Sequence, residues 1–149
     1  MPTRQTSLLF QVATPGLARR GARAFAKLLE TEVAGGRSFC CLVTNDKELR
    51  RLNRQFRKKD YATDVLSFPP ENAGDSVLGE IAISFDKAKQ QAEEHGHAVG
   101  DEVALLMLHG VLHLLGMDHE TDRGQMARAE RQWRSSLGLP AGLTERRTA

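Results

Sequence analysis

The stretch DEVALLMLHGVLHLLG, Asp101 to Gly116, constrains the chain more than any other. Two acids open it, apolar residues fill it and a glycine closes it, which is how a helix starts and stops. Its longest unbroken apolar run, Val103 to Leu108, is ended by His109 and falls far short of the roughly 18 residues that suggest a membrane span. The helix therefore belongs in a globular core, and 40% hydrophobic against 27% charged residues suits an ordinary soluble protein. A chain of 149 residues makes one domain, 1–149, large enough to bury about two thirds of its unfolded surface.

Upstream of that helix the periodicities change several times. Ser7 to Val12 reads as a strand, and Thr14-Pro15 as an N-cap followed by proline at the first helical position. The helix that follows carries its apolar stripe on Leu17, Gly21, Ala24, Phe25, Leu28 and Leu29 and ends at Gly35-Gly36. Phe39 to Val43 is a central strand, and Asn45 with Glu48 forms a capping box for a second helix whose buried stripe is Leu49, Leu52 and Phe56. Val65 to Phe68, stopped by Pro69-Pro70, and Leu78 to Ser84, preceded by a polar loop with Gly74, are two more strands. Asp86 to Glu94 is a short helix closed by Gly96. A last helix from about Asp122 to Leu137 buries Met126, Ala129, Trp133 and Leu137, and residues 138–149 form a loose tail. The order β-α-β-α-β-β-α-α-α predicts a four-stranded mixed sheet packed with about five helices, an α/β or α+β domain.

Leu8 to Phe10 is too short an apolar run for a signal-peptide core, so the expected compartment is the cytoplasm. The two cysteines, Cys40 and Cys41, are adjacent in a strand and point to opposite faces, which disfavours a bond between them; the absence of a disulfide framework fits a reducing compartment. Net charge is only +2, yet seven basic residues stand against Glu48 alone between Lys47 and Lys59. The second helix thus turns Arg50, Arg51, Arg54 and Arg57 toward solvent or a groove.

His109 and His113 are four apart and share a helix face, so one ion fits between their rings. Gly116 permits a left-handed reversal that returns His119 toward the same ion, giving three imidazoles and an open position. Asp118 either orients a ligand ring or caps the loop, and His95 and His97 are assigned nothing. The spacing matches the extended zinc-protease pattern, but its general-base glutamate is Gly110 here, which weakens a peptidase reading.

These residues, HGVLHLLGMDH from His109 to His119, together with LNRQFRKKDYATDVLSFP from Leu52 to Pro69 and LGEIAIS from Leu78 to Ser84, resemble the YbeY family of bacterial endoribonucleases. The resemblance covers most of the chain from Leu49 to Trp133. It implies a zincin-like domain and a metal-dependent, single-strand-specific endoribonuclease serving rRNA maturation, including processing of the 16S rRNA 3′ end, and ribosome quality control. It also implies His109, His113 and His119 as metal ligands and Arg57 as a catalytic residue. RNA, as rRNA and the small ribosomal subunit, is then the partner, and a membrane is not. Zinc is the expected cofactor, one ion per chain, although three imidazoles also accept nickel or copper. Arg54, Lys58 and Lys59 beside Arg57 are expected to bind the phosphate backbone. Two alternatives stay open on the residues alone: a metallohydrolase of another substrate, such as a peptidase, and a ribosome assembly factor whose metal is structural.

Overall fold

Phe39, Cys41 and Val43 alternate with Cys40 and Leu42 along β2 (Ser38–Thr44), so one face of this strand is fully buried and the other only partly. β1 (Ser7–Phe10) and β4 (Val77–Ser84) flank it in parallel, and β3 (Val65–Phe68) closes the sheet antiparallel to β4, in the order β1-β2-β4-β3. A computed structural model describes residues 5–70, 76–118 and 120–140. The loop at Gly74, His119 and the part of the tail beyond residue 140 lie outside these.

Among the described residues five helices cover the sheet, α1 (Arg19–Glu32), α2 (Asp46–Arg57), α3 (Phe85–His95), α4 (Val99–Leu114) and α5 (Gln125–Ser136). The four-stranded mixed sheet and the helix count agree with the sequence-based expectation. α4 is the centre of the core: every residue from Glu102 to Leu112 is buried, and the helix touches α1, α3, α5, β3 and β4. Leu105, Leu106, Met107 and Leu108 are 0% exposed, each contributing on the order of 1.5–3 kcal/mol over its exposed state. No helix among the described residues is long and apolar enough to cross a membrane.

On the opposite sheet face Leu49 of α2 packs with Leu66 and Ala82. The box residue Asn45 caps α2 as expected, its side-chain oxygen accepting from the Glu48 N–H at 2.9 Å. Phe56, however, does not join the buried stripe. It is 57% exposed and meets the Phe68 ring edge-on at 5.2 Å, because the last turn of α2 overhangs β3, the edge strand. Asn53 is buried instead, its Nδ2 donating to the Tyr61 carbonyl at 3.0 Å.

α1 also departs from its expected start and stripe. Thr14 caps nothing: its Oγ1 accepts from Arg19 Nε at 2.9 Å, and the chain turns at Pro15-Gly16, with Gly16 at φ +83°, before the helix begins at Arg19. Ala26 and Leu29 are buried with Ala22 and Phe25 beside them, while Ala24 and Leu28 face outward. The last helix begins at Gln125, later than expected, because Asp122 acts before it, accepting from the N–H groups of Gly124 and Met126 at 2.8 Å each.

Candidate active site

Buried from Glu102 to Leu112, α4 has little freedom toward its C-terminal end, where His109 and His113 stand one turn apart. Their Nε2 atoms are 3.2 Å from each other and their ring centroids 4.8 Å. His109 is 2% exposed, and its Nδ1 lies 2.9 Å from Oε2 of Glu130, which is 0% exposed. A ring that donates from Nδ1 to a carboxylate holds its lone pair on Nε2, the nitrogen that here stands beside His113.

Two nitrogen ligands on a tetrahedral zinc at 2.0–2.1 Å would stand about 3.3 Å apart. The observed separation of 3.2 Å is the spacing such a pair needs. The residues therefore fit a divalent ion held by His109 and His113. Among the described residues no three metal-ligating side chains gather at one point. The expected third ligand, His119, lies outside them. Before it, Gly116 adopts φ +95°, the left-handed conformation expected of it, and Asp118 accepts from the Glu120 N–H at 3.0 Å, a loop-capping contact.

Gly110 follows His109 where a zinc protease carries its glutamate. A Cβ built there would stand 2.9 Å from the Cγ2 of Ile81 in β4, and the Gly110 carbonyl accepts from Ser67 Oγ at 3.0 Å. Position 110 thus faces the sheet, and no side chain from it can reach the histidines.

The histidines open into a cleft of about 520 Å³. Arg57 and Lys59 line it, with Tyr61, Asp64, Ser67 and Asp118. Arg57 is the last residue of α2, and Lys58 after it turns left-handed at φ 60°. The backbone N–H groups of Lys58 and Lys59 both bond to the Asn53 carbonyl, so buried Asn53 anchors the loop that presents Lys59 and Tyr61.

The expected basic cluster is therefore divided. Arg57 and Lys59 reach the histidine cleft, whereas Lys58 does not line it and Arg54 lines another cleft. His95 and His97 stack on each other at 6.0 Å near the end of α3 and do not line the histidine cleft. Glu130 is the functional candidate that sequence reasoning passed over. Its signal was present: an acid one position from Ala129 and four from Met126, within the stripe assigned to the core.

A mixed α/β domain whose polar cleft joins imidazoles to guanidinium, ammonium and carboxylate groups has the equipment of a hydrolase. Residues 14–138 match the family model described as Endoribonuclease YbeY. An Endoribonuclease YbeY of Solibacter usitatus is 57% identical over 95% of this chain and 94% of its own length. One from Nautilia profundicola is 55% identical over 70% of this chain and 76% of its own, and one from Helicobacter pylori 45% over 70% and 74%. The fold is that of the solution structure of TM1509 from Thermotoga maritima, with a TM-score of 0.59 at 24% identity over 88% of this chain and 93% of that one. The chain belongs to the endoribonuclease YbeY family, and its enzymatic class is that of a nuclease.

Proposed function

We propose that this protein cleaves single-stranded RNA internally, in rRNA maturation at the small ribosomal subunit in the cytoplasm, and that residues 1–149 act as one domain. The observation that carries the reading is the Nε2 pair at 3.2 Å, backed by buried Glu130 and opening into a cleft lined by Arg57 and Lys59. His109, His113 and His119 hold a divalent ion, zinc in our reading. When bound, such an ion supplies Lewis acidity toward a phosphate oxygen and lowers the pKa of water.

The chain's own residues do the rest. Arg57 binds the scissile phosphate by two parallel N–H contacts and meets the charge that grows on it. Lys59 holds the phosphate next to it, and the exposed ring of Tyr61 offers a face on which an unpaired base can stack. His109 is kept in one tautomer by Glu130.

Two observations disfavour the alternatives. Gly110 faces Ile81 and leaves the histidines without the general base that peptide hydrolysis uses. His113 is only half-buried and borders an open cleft, whereas a structural metal site is closed. The test is elemental analysis of protein purified without a metal-affinity tag, paired with cleavage of single-stranded RNA and of casein with and without chelator. About one ion per chain and chelator-sensitive cleavage of RNA alone are expected; casein hydrolysis, or RNA cleavage indifferent to chelator, would overturn the reading.

A further inference from the structure

α2 carries its basic residues at positions 47, 50, 51, 54 and 57, the three- and four-residue spacing that places side chains along one helix face. Only the last of them enters the histidine cleft. Lys47, Arg50, Arg51 and Arg54 line a separate cleft of about 590 Å³, with Thr44 and Asn45 at the end of β2. We propose that this cleft is a second RNA site, which binds the phosphate backbone of the strand outside the reaction cleft. The proposal rests on the endoribonuclease reading above.

Charge, spacing and lining chemistry support it. Among the described residues Lys47 and Arg54 form no ion pair. Arg50 is held by Asp60 at 2.8 and 3.1 Å and Arg51 by Glu48, and these hydrogen bonds keep both carboxyls below their ordinary range. Both arginines are nevertheless more than half exposed, and ion pairs of that kind are weak enough for a phosphate to compete. From Lys47 to Arg57 the helix rises about 15 Å at 1.5 Å per residue. The track ends at Arg57, so one strand can occupy both clefts.

The lining also favours RNA over a protein partner. Among the described residues Val12 is the only apolar one in it, whereas a protein interface is built around an apolar, aromatic-rich centre.

The test compares zinc-loaded wild type with Lys47→Ala/Arg54→Ala and, as a milder pair, Lys47→Gln/Arg54→Gln. Fluorescence anisotropy reads the affinity for 2′-O-methyl single strands of about five and about fifteen nucleotides, which a gel shows to stay intact through the titration. Wild type is expected to bind the longer strand at least about 10-fold more tightly. In both double variants that ratio falls toward one, and the log-log salt slope for the longer strand drops by about 1.4, or about 0.7 for each phosphate no longer neutralised. A ratio and slope unchanged in both variants, with cooperative melting retained, would overturn the second site and leave this face to an acidic protein. Length-independent binding by a wild type that still cleaves RNA would overturn the second site alone. A wild type that neither binds nor cleaves RNA would overturn the endoribonuclease reading with it.

Discussion

The C-terminal end of α4 and the loop that leaves the C-terminal end of α2 border the same cleft but are built on opposite terms. His109 is 2% exposed, its ring fixed from behind by a carboxylate that is 0% exposed, on a helix packed against three other helices and two strands. Arg57 and Lys59 are exposed, and they flank a left-handed turn at Lys58 tied to the fold through Asn53. The first region gains precision from packing, since a buried, hydrogen-bonded ring has one position available to it. The second keeps its long side chains exposed to solvent, which suits a polyanion that must enter and leave. Substitutions in α4 should therefore change metal content and stability together, and substitutions in α2 should change RNA handling alone.

His109→Ala should have the largest effect. It removes a proposed ligand and the partner of a buried carboxylate, so metal occupancy should collapse, cleavage should fall by at least about 10²-fold and stability by on the order of 3 kcal/mol. Elemental analysis and denaturant unfolding check both, and normal melting together with full metal content would break the contrast. His119→Ala tests the expected third ligand in the same assays: loss of metal is expected, and full occupancy would show that another group completes the site.

Arg57→Ala should sharpen the contrast from the other side. Cleavage should drop by on the order of 10²-fold while metal content and melting stay at wild-type values. Arg57→Lys should recover only part, because an ammonium cannot reproduce a two-toothed phosphate contact. Metal loss in Arg57→Ala would mean that the two regions are not separable.

Glu130→Gln leaves a hydrogen-bonding group of similar size but removes the charge behind His109. Metal affinity should weaken by about 10- to 100-fold, read by competition with a chromophoric chelator. An unchanged affinity would show that packing, rather than the carboxylate, orients the ring. The smallest effect is at Lys58, whose φ of 60° is costly for a residue with a side chain. Lys58→Gly should raise stability by about 0.5–1 kcal/mol in urea unfolding, with cleavage little changed because Lys58 does not line the cleft. A destabilised Lys58→Gly protein would mean that the Lys58 side chain supports the loop.

The periodicity of the chain was enough to place the four strands and five helices of the described residues, because each buries a face whose spacing survives in the order of residues. α4 was legible nearly to its ends, since Asp101, Glu102 and Gly116 mark both of them. Where the reading slipped, the cause was a tertiary partner. Thr14 spends its hydroxyl on Arg19, Phe56 leaves the core because α2 runs past the sheet edge, and Glu130 occupies a stripe that pattern alone assigns to apolar residues.

The residue order by itself determined the metal-binding potential of His109 and His113, since a four-residue step on any helix brings two imidazoles onto one face. It also determined the concentration of positive charge on α2. Only the tertiary structure decided what faces those groups. Glu130 comes from a helix 21 positions away to stand behind His109, and Ile81 from another strand fills the space a side chain at 110 would need. The rotation of α2 over the sheet edge sends Arg57 to one cleft and Arg54 to another. Local spacing sets which side chains share a face, but where that face points depends on packing between segments distant in sequence.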